Sequence, residues 1–136
     1  MPQNRETGEA GRAYGLQMAR GLAKLLGAKR LSQTSNEVVW NGKVAVIKSC
    51  RPQTSSFGVT ASMLPRLEVI LAAFEDDHEQ MQVFELDAAK FREAMYDSRS
   101  AAAVGGRVKM VSRAYAQAQG RPVARYASRQ VIAAAE

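Results

Sequence analysis

The pair Asn41-Gly42 constrains this chain more than any other feature. It lies between Glu37-Val38-Val39-Trp40 and Lys43-Val44-Ala45-Val46-Ile47-Lys48. Asn-Gly tolerates positive φ at both central positions of a two-residue turn, which is what a tight β-hairpin needs. Once the turn is placed, the register follows: Trp40 opposes Lys43, Val39 opposes Val44, Glu37 opposes Val46, and Lys48 lies near Ser35. Side chains alternate along a strand, and directly opposed residues share a face. Glu37 and Lys48 are therefore expected on the same side of the hairpin, one diagonal step apart.

The rest of the chain can be read around this hairpin. Tyr14, Met18, Leu22, Leu25 and Leu26 recur at three- and four-residue steps and predict a helix from about Thr7 to Leu26, stopped by Gly27. Gly15 and Gly21 inside it imply close packing against another element, because each otherwise weakens the helix by about 1 kcal/mol. Ser49 to Gly58 reads as a polar loop. Met63, Leu64, Leu67, Ile70, Leu71 and Phe74 predict a second helix from about Ser62 to Glu75, with Pro65 in its first turn. Met81–Leu86 alternates as a strand, and Asp87 caps a third helix running to Met95. Residues 107–112 suggest a short strand, and residues 119–122 a turn. Residues 123–135 read as a final helix or a basic tail. The expected class is α+β: a small mixed sheet built on the hairpin and packed with two to four helices. The whole chain is read as one domain, with its core over 7–97 and a basic, flexible C-terminal region over 98–136.

Composition sets the partners. At 136 residues and 46% hydrophobic the chain has the makeup of an ordinary globular domain. No apolar run reaches the ~20 residues of a membrane span, so no membrane is expected. The polar start and the single cysteine, Cys50, point to a reducing, cytoplasmic setting. The net charge of +6 is segregated: residues 1–60 carry +6, residues 61–97 carry −6 and residues 98–136 carry +6. A basic surface of this kind suits a nucleic-acid backbone, contacted by Lys43, Arg51, Arg107, Lys109, Arg113, Arg121, Arg125 and Arg129, with Tyr115 and Tyr126 interleaved. It equally suits a basic tail docked on the acidic middle, within one chain or across a homo-oligomer.

The other chemical candidates are few. One histidine, His78, and one cysteine exclude a zinc finger. His78 sits in the acidic turn Asp76-Asp77-His78-Glu79, read as a solvated turn. The loop after Lys48 offers hydroxyls to a phosphate but lacks the spacing of a P-loop. Trp40 either stacks on a base or covers one sheet face. In element order, residues 7–95 resemble the core of the PD-(D/E)xK nuclease superfamily. That resemblance implies a first acid at Glu37, the catalytic lysine at Lys48, a helix-borne acid at Glu9, and Mg²⁺ as the only cofactor, needed only if the site is active. Val46 stands where that family carries Asp or Glu. The expectation is thus a nucleic-acid-binding domain with a divergent, inactive nuclease-like fold. The alternatives are an assembly subunit that uses the acidic middle and basic tail, or a metal-dependent nuclease drawing a further acid from Glu68 or Glu85.

Overall fold

The structure is a computed structural model that describes residues 5–99 and 106–136, with residues 5–9 described by backbone alone. The hairpin forms as its turn requires. Asn41 and Gly42 take φ of 50° and 75°, and β2 (Glu37–Trp40) pairs with β3 (Lys43–Cys50) in the expected register, Glu37 opposite Val46. The two-residue β1 (Lys29–Arg30) borders β2. On its other side β3 runs parallel to β5 (Val69–Glu75). Next to β5 comes β6 (Gln80–Asp87), and β9 (Arg121–Ala127) closes the edge, with a bulge between Val83 and Phe84. The order in this six-stranded mixed sheet is β1-β2-β3-β5-β6-β9. A smaller antiparallel sheet contains β4 (Ser56–Thr60), β8 (Val108–Ser112) and β7 (Tyr96–Asp97).

Alternation along the strands divides the core in two. Ala45, Ile47, Val69, Leu71, Ala73 and Val83 face α1 (Arg5–Leu26) and α4 (Ser128–Ala135), meeting Met18, Leu22 and Val131. Val46, Ile70, Ala72, Phe74, Phe84 and Leu86 face the other way. They pack on Phe57, Val59 and Val111 of the small sheet, on Phe91 of α2 (Ala88–Ala94) and on Ala116 of α3 (Arg113–Gln119). The fold is α+β, in three layers.

Gly21 is where α1 and α4 touch: a Cβ added there would lie 2.0 Å from the carbonyl oxygen of Val131. Gly15 has open space around it, with nothing within 4 Å of where a Cβ would lie. Of Gly15 and Gly21, only Gly21 serves close packing.

Two expectations change. The helix expected over residues 62–75 is a three-residue 3₁₀ turn, Leu64–Arg66, followed by β5. Every residue from Val69 to Phe74 is buried, alternately on the two faces. A strand covered on both sides carries an unbroken apolar run, which also satisfies helical spacing over a short window. The C-terminal region is also built into the fold. Its residues 107–136 supply β8, α3, β9 and α4, with Val131 fully buried, while residues 100–105 lie outside those described.

Candidate nucleic-acid interface

The hairpin holds Glu37 and Lys48 on one face, as its register requires, but it does not bring them together. Glu37 is only 7% exposed, and Arg66 of the 3₁₀ turn grips both of its oxygens, Nε at 2.9 Å and Nη2 in a charge-assisted bond. This bond holds the carboxyl below its ordinary pKa, against the opposing effect of burial. Lys48 points into the layer shared with Val46 and Cys50. Burial lowers its pKa, and the Cys50 thiol pulls the other way. It has no hydrogen bond or ion pair among the described residues.

The remaining acids of the nuclease scheme lie elsewhere. α1 covers the opposite face of the sheet from Glu37 and Lys48, and the side chain of Glu9 is outside those described. Glu68 accepts the Val44 amide at 2.9 Å. Glu85 opposes Leu71 on the helix-covered face. Val46 is fully buried in the apolar cluster. No three Asp, Glu, His or Cys side chains converge among the described residues.

The basic residues fall into two groups. Three of the tail cations meet acids of the middle segment of the same chain. Lys109 pairs with Asp97, Arg121 with Glu85 at 3.2 Å, and Arg125 with Asp76 at 3.3 Å. Lys43 reaches Glu85 at 3.9 Å. Arg113 is a staple. Its guanidinium donates to the carbonyls of Arg51 at 3.0 Å, Pro52 at 3.2 Å, Thr54 at 3.4 Å and Glu75 at 2.8 Å, and it lies 5.0 Å from the Phe74 ring centroid. Carbonyls partly shielded from water need donors, and this one arginine reaches four. Arg107 and Arg129 are exposed with no such partner among the described residues.

Beside α1 the arrangement differs. Arg51, held at its backbone by Arg113, lays its guanidinium 4.3 Å from the centroid of the Tyr14 ring. The two side chains line a groove of about 630 Å³ together with Ala10, Ala13, Leu16, Gln17 and Arg20. Neither arginine side chain forms an ion pair among the described residues, and the lining residues include no acid. The small side chains of Ala10 and Ala13 leave the space, and the C-terminal end of β3 delivers Arg51 into it. Tyr14 is half-buried, with its hydroxyl enclosed. Burial, helped by the Glu75 carboxylate and opposed by Arg51, pushes its pKa up to about 12.

Arg20 and Tyr14 were not expected in a site, because helical spacing marks Tyr14 as core and Arg20 as one of many surface cations. Arg12 and Arg20 lie off the apolar stripe in the chain's first basic block, and this was the available signal. The aromatic candidates do not serve as surface stackers. Trp40 is 6% exposed in the helix-side core, Tyr126 packs against the same cluster, and the Tyr115 hydroxyl donates to the Lys90 carbonyl. Cys50 is buried, which pushes its thiol up to about 11 despite Arg113 and Lys48 nearby. His78 sits exposed in a turn ordered by Asp76, whose Oδ1 accepts the amides of His78 and Gln80. The stretch expected as a polar loop from Ser49 to Gly58 instead completes β3 at Cys50 and begins β4 at Ser56. No helix of the described residues is long and apolar enough to cross a membrane. No protein-family model matches the chain, and no curated protein matches it.

Proposed function

We propose that this chain is a nucleic-acid-binding domain that contacts the phosphate backbone through the α1 face, and that the hairpin pair Glu37 and Lys48 is not a catalytic centre. The observation that carries the reading is the separation of engaged from available cations. Arg113, Arg121 and Arg125 spend their charge on backbone carbonyls, Glu85 and Asp76; Arg107 is exposed outside the α1 groove, and Arg129 lines a pocket that also carries Glu75 and Glu79. Arg20 and Arg51 border a concave surface with no acid among its described lining residues, and Arg12 is exposed on the same helix. Charge left unpaired around a groove attracts a polyanion and releases its counterions. The inactive reading of the hairpin rests on three facts: Glu37 is committed to Arg66, Val46 occupies the core, and Glu85 lies across the sheet. Because the tail and acidic middle are paired within one chain, segregated charge is no argument for assembly.

Fluorescence anisotropy with labelled duplex and single-stranded oligonucleotides tests the reading. Three phosphate contacts, from Arg12, Arg20 and Arg51, give a log–log salt slope of about −2.7 on duplex DNA, so affinity should fall roughly 40-fold between 50 and 200 mM salt. A folded protein that binds neither probe at low salt would refute it.

A further inference from the structure

Resting on that reading, we propose that Tyr14, Arg20 and Arg51 form a clamp for the phosphodiester backbone of a single strand. Arg51 is the anchor. Its backbone carbonyl accepts both the Arg113 guanidinium and the Thr54 amide at 3.0 Å each, so the loop that carries it is tied down. Its guanidinium carbon lies over the Tyr14 ring, 4.3 Å from the centroid. An arginine stacked on a ring keeps the edge of its fork free for two parallel hydrogen bonds to phosphate oxygens, and loses less conformational freedom on binding. Arg20 brings a second guanidinium to the same groove, and Gln17 lies between Tyr14 and Arg20 along the helix as a neutral donor and acceptor.

The shape selects the strand. A duplex is read by elements that protrude into its grooves or pack on its convex backbone. Here Arg20 and Arg51 line an open concavity with the exposed Ala10 and Ala13, the form in which single strands are tracked by a charged groove. The Tyr14 ring is taken by Arg51, so the clamp reads backbone rather than bases and carries no sequence preference.

Anisotropy on the full chain, with a labelled single-stranded oligonucleotide and its duplex, separates the outcomes. Arg20→Ala and Arg51→Ala should each weaken single-strand binding about fivefold at 0.1 M salt and make the salt slope shallower by about 0.7, the counterion share of one contact. Arg51→Lys keeps the charge but loses the fork and the stack, so affinity should drop with the slope unchanged. Lys90→Ala, a charge-matched change on α2 across the sheet, should leave binding as it is. Inorganic phosphate equimolar with the oligonucleotide should not displace it. Wild-type binding with no loss in Arg20→Ala and Arg51→Ala would overturn the clamp and leave the nucleic-acid reading standing. Tighter binding to duplex would overturn the single-strand assignment. Displacement by equimolar phosphate would make this a free-anion site and overturn the clamp. Absence of any binding by the folded wild type would overturn both readings.

Discussion

Two glycines six residues apart in α1 should respond to the same substitution with opposite signs. Gly21→Ala places a methyl 2.0 Å from the Val131 carbonyl oxygen and 2.9 Å from its carbonyl carbon. Those are backbone atoms of α4, at a residue with no exposed surface, so no side chain can rotate away. α4 must retreat by more than an ångström, opening the contact between Val131 and the residues Met18 and Leu22. Overpacking of this kind costs about 1–3 kcal/mol, and a rigid backbone obstacle belongs at the upper end. The better helix propensity of alanine returns about 1 kcal/mol, leaving a net loss of about 2 kcal/mol. Gly15→Ala meets nothing within 4 Å and should gain about 0.5–1 kcal/mol. For a chain of this size 1 kcal/mol moves Tm by roughly 4 °C. The expected shifts are therefore about −8 °C and about +2 to +4 °C. Calorimetry with matched urea melts measures both. Equal or raised stability in Gly21→Ala would refute the α1–α4 contact. A lowered urea slope would report α4 detached and the remainder folded.

Three further outcomes follow from the same contacts. Arg113→Ala removes the guanidinium shared by four carbonyls, of which that of Arg51 keeps the Thr54 amide, and should destabilise the fold by about 2–4 kcal/mol, while speeding labelling of the buried Cys50 thiol; unchanged denaturation would deny it the staple role. Val46→Glu, which writes the nuclease motif back into β3, buries a carboxylate in an apolar cluster and should cost about 3 kcal/mol or more. It should yield no Mg²⁺-dependent cleavage of a nucleic-acid substrate, and cleavage by a folded variant would reinstate the catalytic reading. Glu37 has a folded pKa below its unfolded value of about 4.3, so its stabilisation is complete above that pH and is lost as the pH falls through the folded pKa. Glu37→Gln should flatten that acid limb of the stability curve, and an unaltered limb would mean that the Arg66 bond contributes nothing.

What could be read from the sequence depended on how local the determining interactions are. The hairpin register was legible because Asn41-Gly42 leaves one turn geometry, and α1 because five apolar residues recur on one stripe. β5 was not, since burial on both faces erases the polar positions that distinguish a strand from a helix. β9 was hidden for the opposite reason: in Arg121–Ala127 an edge position leaves most side chains part-exposed, so no alternation survives. Among the basic residues, which cations are free is a tertiary fact. Arg125 meets Asp76 across 49 positions of chain, and Arg51 finds Tyr14 only when β3 ends beside α1. Charge segregation showed that the tail and the acidic middle suit each other. It could not show that this pairing would leave the α1 groove as the exposed basic concavity.

Amide chemical-shift mapping with a single-stranded oligonucleotide tests most directly which face binds. The account predicts the largest changes over Ala10–Arg20 and Arg51–Thr54, lost in Arg51→Ala. Changes centred instead on Val108–Ser112 and Arg121–Arg129, with the α1 amides unmoved, would contradict it.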